Sequence, residues 1–506
     1  MNHLQHQHVL ILGLGLSGLA MARWCTRCGA QVTVADSRAA PPQLAHLQRD
    51  LPGARFVTGA LDASLLQGSQ PVHAVFKSPG LAPPAIASLM IAASAMNIRA
   101  TGELGLFSEA LVQLQAERGY RPVVLAITGT NGKTTVTALT GQLVERAGKT
   151  VAVAGNIGPT LLDTLSQRLD TDTLPQVWVL ELSSFQLDGK SDFAPTAATV
   201  LNITQDHLDW HGSMAAYVQA KTAVFGSQGL MLLNREDPQV MAMLPAPVKV
   251  KLQRPQPRPF VTFGGDMPQR PGDFGLETVN GITWLVRAMD ADETRRKRHE
   301  EAEELHVVRL MPADALRIRG RHNAINALAS LALASAAGCA LAPMLYGLRE
   351  YSGEPHRVQP IGLVDGIEYF DDSKGTNVGA TVAAINGLGA ERQVVLILGG
   401  EGKGQDFSPL ADPVRRHARA VVLIGRDAPL LQAALAGTGV ALHDATSMGE
   451  AVQVATALAH AGDAVLMSPA CASFDMFDNY EHRARVFVQA VAALAEQAGV
   501  MLEVTT

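Results

Sequence analysis

The sequence predicts an α/β fold of three domains built on parallel sheets. Three observations predict it. Short apolar runs alternate with helix-compatible stretches along most of the chain, the rhythm of strand–helix–strand units. Two of those runs lead into glycine-rich turns, at residues 13–18 and 128–135. The length, 506 residues, exceeds what one hydrophobic core sustains.

The first domain opens with strand-like runs at 8–12, 32–35 and 74–78. Between the first two lies Gly13-Leu14-Gly15-Leu16-Ser17-Gly18, a full G-x-G-x-x-G, with Asp36 about 20 residues on. That fingerprint places a diphosphate over a helix N-terminus. A nicotinamide-dependent oxidoreductase is one reading of it. A UDP-linked ligand fits equally well, because Ser37 and Arg38 offer polar groups to a base or sugar. A dehydrogenase also has no need of a second phosphate loop. Cys25 and Cys28 form C-x-x-C but fall in the first helix, where i and i+3 share a face, so packing is expected of them. His3, His6 and His8 read as a polar tail.

In the second domain the apolar run 123–127 precedes Thr128-Gly129-Thr130-Asn131-Gly132-Lys133-Thr134-Thr135, and helix-compatible sequence follows from Val136. A glycine turn between strand and helix aims several N–H groups at one point, which binds phosphate. Lys133 would reach the β/γ-phosphates and the Thr134 hydroxyl would hold magnesium. The first glycine of the usual motif is replaced by Ile127. Further strands are expected at 177–182 and 198–203. Glu181 ends the first of them, a suitable position for a magnesium ligand. After the second come Asp206, His207 and Asp209, of which His207 is the strongest site candidate. Residues 245–310, Pro-rich and then turn-rich, read as strands and loops at the edge of this domain. The charge run 290–304 reads as a solvated excursion. The third domain shows strands at 393–398, 420–424 and 464–467. The expected boundaries give domains 1–115, 116–354 and 355–506. No internal repeat or heptad pattern is visible.

Composition excludes several classes. Lys and Arg number 41 against 47 Asp and Glu, a formal net charge of −6. That argues against nucleic-acid binding by bulk electrostatics. No apolar run approaches the roughly 20 residues needed to span a bilayer. The first residues lack a signal peptide's charged start and cleavage site. Four cysteines fit a reducing compartment. A cytoplasmic protein without membrane insertion is expected.

TGTNGKTT, AGNIG (154–158), ELSSFQL (181–187), NITQDHLD (202–209) and Tyr217-Val-Gln-Ala-Lys221 together resemble the ATP-dependent Mur ligase family. Pro355-His356-Arg357, Asp372-Ser-Lys374-Gly-Thr376-Asn377, LGGEGKGQDFSPL (398–410) and SPACASFDMFDNY (468–480) extend the likeness through the third domain. The motifs cover nearly the whole chain in the family's order. With GLGLSG they point to the branch that adds D-glutamate to UDP-N-acetylmuramoyl-L-alanine. Folylpolyglutamate synthases share the phosphate loop but not GLGLSG or SPACAS.

The resemblance implies an N-terminal Rossmann-like domain, a central P-loop ATPase-like domain and a C-terminal Rossmann-like domain. It implies an ATP-dependent carbon–nitrogen ligase of peptidoglycan precursor synthesis, working through an acyl phosphate, with two magnesium ions, and a monomer is expected. Phosphoryl transfer between anions needs charge and alignment more than covalent catalysis. By matching position, Lys133, Glu181, His207, Lys221 and Lys374 would be catalytic. Thr134, Glu181, His207 and Lys221 would hold metal, with Lys221 carbamylated by carbon dioxide. ATP would take the loop 128–135 together with Asn323, Asn326, Arg357 and Asp372. The UDP-linked acceptor would contact Leu16, Ser17, Ser37, Arg38, Ser78, Pro79, Gly80, Asn156, Ser183 and His207. Lys374, Thr376, Lys403, Ser473 and Tyr480 would form the amino-acid pocket. Two residues depart from the family pattern at that end: Glu401 stands where Asp is expected and Tyr480 where Phe is usual. Hinge closure of the third domain is expected, with hinges near 354 and 116. Two other readings stand beside this one, the oxidoreductase above and a non-catalytic ATP-binding module.

Overall fold

The structure is a computed structural model that describes residues 4–68, 70–189, 192–247, 258–290, 305–390, 392–500 and 502. The chain packs as two compact units. One comprises Met1–Ile203, Trp210–Phe263 and Ala329–Met344. The other comprises Thr204–Asp209, Gly264–Leu328 and Leu345–Thr506.

The first unit holds two parallel sheets. Its N-terminal sheet has five strands in the order Arg55–Thr58, Gln31–Asp36, His8–Leu12, Ala74–Lys77, Arg99–Thr101. Strand periodicity sorts the apolar residues onto two faces. Val9, Ile11, Val34 and Phe76 join one core, while Leu10, Leu12, Ala35 and Val75 join another. Both faces are therefore covered, as a parallel sheet requires.

The central parallel strands run in the order Phe260–Phe263, Leu230–Asn234, Ala197–Val200, Val123–Thr128, Val177–Glu181, Val151–Gly155. Val123–Thr128 lies inside this array, with Ile127 opposite Glu181 and Thr128 opposite Val200. The strand expected at 198–203 stops at Val200. Beyond it the backbone leaves the ladder to serve the glycine loop: Leu201 N donates to Thr128 O, and Asn202 O accepts from Thr130 N.

Helix Glu103–Arg118 ties the two sheets of this unit together. Its Leu104, Leu106, Phe107, Ala110 and Leu114 belong to one continuous core with Val9, Trp24, Ala126 and Trp178. Phe107 meets Trp178 edge-on at 5.1 Å. Arg23 and Arg27 of the first helix reach Asp163 and Asp170 of helix Leu161–Asp170 at 3.3 and 2.6 Å. The helix ends at Gly119, whose φ of 66° suits glycine. Residue 116, near the expected first boundary, lies in its last turn.

The second unit contains an antiparallel run, Phe274–Val279, Ile282–Asp290 and Leu305–Pro312. It also holds a six-stranded sheet in the order Gln359–Val364, Ile367–Asp371, Ala464–Met467, Val394–Gly399, Ala418–Ile424, Ala441–Asp444. The first pair is antiparallel and the rest are parallel. Leu396 and Leu398 face one core, Val395 and Ile397 the other. The charge run expected to be a solvated excursion lies outside the described residues beyond Asp290, as does 251–257 of the Pro-rich stretch.

Candidate active site

The site begins where Val123–Thr128 ends. Gly129 has φ 150° and Gly132 φ 85°, conformations that side chains disfavour. A Cβ on Gly129 would lie 3.0 Å from Leu201 Cβ. Asn202 locks the loop: its Oδ1 accepts from Asn131 N at 2.9 Å and its Nδ2 donates to Asn131 O at 3.1 Å. Helix Lys133–Arg146 then starts, three residues before the expected position. Its N-terminal N–H groups and dipole suit an anion. Ile127, standing where the usual motif has glycine, is still a paired strand residue and needs no special backbone.

Two lysines converge on this loop. Lys133 Nζ donates to Gly129 O at 2.8 Å and Thr130 O at 2.7 Å. Lys221 is 1% exposed, and its Nζ donates to the same Gly129 O at 2.8 Å and to Thr128 Oγ1 at 3.3 Å. It lies 4.7 Å from the centre of the Tyr217 ring, and the Tyr217 hydroxyl bonds Thr130 Oγ1 at 3.0 Å. A lone lysine at this sequence position reads as a surface residue, but the fold seals this one beneath the loop.

Glu181 ends its strand beside Ile127 and is 1% exposed. Its Oε1 accepts from Asn156 Nδ2 at 2.7 Å, and Asn156 N donates to Glu181 O at 2.8 Å. Oε2 is buried without a hydrogen-bond partner. An orphaned buried carboxylate oxygen is costly, and a divalent cation is the partner that suits it. No group of three or more His, Cys, Asp or Glu gathers as a metal cluster among the described residues. A cation here would take few protein oxygens and complete its shell with water and phosphate, the habit of magnesium. Next to Glu181, Ser183 and Gln186 form a reciprocal capping box that fixes the loop's exit.

His207 has a left-handed φ of 53°. Its N–H donates to Asp206 Oδ1 at 2.9 Å, and its Nε2 lies 3.5 Å from Asp206 Oδ2. Asp206 Oδ2 also accepts from Asn377 Nδ2 at 3.4 Å. Asp209 is an exposed residue of the short helix Leu208–His211.

At the N-terminal turn, Gly18 is indispensable: a Cβ there would sit 2.0 Å from Gly13 O. Ser78 Oγ donates to the same carbonyl at 2.9 Å. Leu16 and Ser17 begin helix Leu16–Arg27, and Leu16 is 67% exposed. Pro79 and Gly80 continue from Ser78 at the same sheet edge. Asp36 does not behave as a ribose ligand. Its Oδ1 accepts from Arg38 N and Nε, both at 2.9 Å, and its Oδ2 from Leu14 N at 2.7 Å and Arg38 Nη2 at 2.8 Å. The Arg38 guanidinium holds its carboxyl down at about 2. The acceptor capacity a nicotinamide dinucleotide would need is already spent, and the oxidoreductase reading loses its main support. Ser37 and the Arg38 stem stay exposed beside it. The C-x-x-C thiols are buried, and burial pushes Cys28 up to about 11 and Cys25 higher still, so neither is redox-poised.

In the second unit, Asn323 Nδ2 donates to Arg319 O at 2.8 Å, and Asn326 Nδ2 to Asn323 Oδ1 at 3.2 Å. The pair thus builds a small network in the first two turns of helix Arg321–Ala336. Asp372 accepts from Ser468 Oγ at 2.6 Å and Val358 N at 3.2 Å. Burial pushes its carboxyl up to about 7, against the Arg357 charge nearby. Lys374 lies 3.8 Å from the Tyr480 ring centre, and Thr376 follows in the same loop. Lys403, at φ 52°, lies 5.7 Å from the ring of Phe474, the neighbour of buried Ser473. Glu401 pairs with Arg426 at 3.2 Å, and its backbone bridges Ala472, so the extra methylene is spent on a strut.

Sequence reasoning missed several residues. Asn202 and Tyr217 stand inside motifs that were read for their charged members. Arg483 is fully buried and joins two loops, donating to Cys471 O at 3.1 Å and Ser373 O at 2.8 Å. Burial lowers it to about 10. Only its place on the apolar face of helix Tyr480–Gln497 could have flagged it. The His356–Asp371 pair, 2.6 Å apart, was also missed, because nothing in the sequence shows that these two residues meet.

Comparison with known proteins agrees with this arrangement. Residues 7–102 match the Mur ligase MurD-like N-terminal domain, 127–334 the Mur ligase middle domain, and 356–471 the Mur ligase, glutamate ligase domain. A protein of Albidiferax ferrireducens named UDP-N-acetylmuramoylalanine–D-glutamate ligase is 73% identical over 99% of each chain. The protein of that name from Polaromonas sp. is 60% identical over 99% of this chain and all of its own. Among solved structures, a MurF ligase from Thermotoga maritima in complex with ADP superposes with TM-score 0.55 at 14% identity, covering 98% of this chain and 96% of that one. A UDP-N-acetylmuramate-alanine ligase, MurC, from the same organism gives 0.54 at 19% identity, covering 96% and 100%. These two likenesses establish the shared three-domain fold. The chain belongs to the Mur ligase family, among the UDP-N-acetylmuramoylalanine–D-glutamate ligases.

Proposed function

We propose that this chain is an ATP-dependent ligase joining D-glutamate to UDP-N-acetylmuramoyl-L-alanine, in the synthesis of peptidoglycan precursors. The relatives' shared name over the full length supports the substrates. The single observation that carries the chemistry is the orphaned Glu181 oxygen at the strand end beside the phosphate loop. The relatives' name as ligases leaves the binding-module reading without support.

ATP phosphorylates the acceptor's carboxylate, and the amine of D-glutamate displaces the phosphate from carbon. Lys133 and the loop N–H groups hold the phosphates in line and offset the charge that spreads over them. Thr134 and Glu181 would hold magnesium, with His207 a ligand of a second ion. Bound magnesium supplies further positive charge to the phosphates. Lys221 is the residue to carry a carbamate: its burial against the loop puts a new carboxylate where a cation would stabilise it. Leu16, Ser17, Ser37, Arg38, Ser78, Pro79 and Gly80 would take the UDP group, with Asn156, Ser183 and His207 beside the acceptor's reacting end. Asn323, Asn326, Arg357 and Asp372 would take the adenosine and phosphate side of ATP. Lys374, Thr376, Lys403, Ser473 and Tyr480 would hold D-glutamate, the lysines facing its carboxylates. We place the reaction in the cytoplasm, in a monomer divided near residues 116 and 354.

Lys133→Ala tests the reading. Product measured by mass spectrometry from ATP, acceptor and D-glutamate should fall at least about 1000-fold, as loss of a principal phosphate contact does. An unchanged yield would contradict it.

A further inference from the structure

The second unit holds an acid–imidazole pair that no role above employs. His356 Nδ1 and Asp371 Oδ2 are 2.6 Å apart. Asp371 ends strand Ile367–Asp371 and is completely buried, and its other oxygen accepts from Ser373 N at 2.9 Å and Ser373 Oγ at 2.6 Å. The carboxylate is thus immobile. As an acceptor it fixes the proton on His356 Nδ1 and turns the lone pair of Nε2 outward. Nε2 makes no hydrogen bond among the described residues, and the His356 side chain is 27% exposed.

The backbone holds the imidazole as firmly. His356 sits at φ 63°, in the left-handed region. Its N–H donates to Gln359 Oε1 at 3.0 Å, and its carbonyl accepts from Lys374 N at 3.2 Å. The ring lies 6.0 Å from that of Tyr480, which carries the Lys374 ammonium at 3.8 Å. An oriented base therefore stands beside the residues assigned to the amino acid.

We propose that His356 is the general base that takes the proton from the ammonium group of the incoming amino acid, with Asp371 as its positioning residue. The inference rests on the ligase reading above. An amino acid arrives as an ammonium ion, which has no lone pair to give. Transfer of one N–H proton to His356 Nε2 frees that pair. Nitrogen then bonds to the acyl carbon, the carbon–oxygen bond to phosphate breaks, and the second proton leaves with phosphate or solvent. The imidazolium returns its proton to water, so the step balances without a further reactant.

The test compares two nucleophiles in wild type, His356→Gln and Asp371→Asn, each with ATP, magnesium and UDP-N-acetylmuramoyl-L-alanine. D-Glutamate needs deprotonation, whereas hydroxylamine is largely uncharged at neutral pH and traps the acyl phosphate without a base. His356→Gln should lower the D-glutamate rate by about 100-fold or more, while hydroxamate formation stays within a few-fold of wild type. Asp371→Asn should show a smaller loss of the same kind. An undiminished D-glutamate rate in His356→Gln overturns the proposal. So do equal losses with both nucleophiles, which would mark the pair as a structural staple. A wild-type protein that yields neither product overturns the ligase reading and this one with it.

Discussion

Glu181 and Lys221 stand in surroundings that their residue types rarely accept. A carboxylate oxygen without a donor and a lysine at 1% exposure both cost free energy in an apolar interior. Both stand against one glycine loop, which makes sense if charge arrives there. Glu181→Gln keeps the acceptor for Asn156 and removes the charge. The fold should survive, the magnesium concentration for half-activity should rise, and turnover should fall about 100-fold. Unaltered magnesium dependence would remove Glu181 from the metal. Enzyme freed of carbon dioxide should lose activity and regain it with bicarbonate if Lys221 is carbamylated. Activity indifferent to bicarbonate in wild type would contradict the modification. These residues were legible in the sequence because they stand at strand ends or inside motifs. His356–Asp371 and Arg483 were not, because each depends on partners outside its own element: residue 371 for His356, and residues 373 and 471 for Arg483.

At the scale of elements, the strands read correctly from sequence were the buried, continuously apolar ones, such as Val394–Gly399 and Ala464–Met467. The sheet-edge strands Arg55–Thr58 and Arg99–Thr101 escaped, being short and half exposed, so no apolar run marks them. Helix Glu103–Arg118 carries an expectation of its own. Glu103 is 2% exposed at its start, and its Oε1 accepts from Leu162 N at 3.1 Å, while Oε2 has no partner. Burial holds its carboxyl protonated up to about 7, where an unfolded glutamate releases its proton near 4.5. Between those values the folded chain keeps a proton that the unfolded chain has lost. This site's contribution is therefore full below about 4.5 and declines as pH rises to about 7, by about 3 kcal/mol at most. Glu103→Gln should flatten that decline. Thermal unfolding should find it close to wild type at about pH 5 and more stable at about pH 8. A variant destabilised equally at both would show that the carboxyl is ionised in the folded state.

For the whole molecule, the α/β class and its three sheets followed from rhythm, length and two glycine turns. The division into two compact units did not, because it follows packing rather than pattern: one helix shares a core with two sheets of the first unit. Family membership rests on the order of motifs from end to end and on relatives that span the full chain. The most direct test of the central claim is phosphate release from ATP with UDP-N-acetylmuramoyl-L-alanine and a panel of amino acids, in the presence of magnesium and bicarbonate. The account predicts release that requires the acceptor and D-glutamate together, with little for L-glutamate. Release coupled to a different amino acid would contradict the assigned substrate, and the absence of coupled release from protein that binds ATP would contradict the ligase itself.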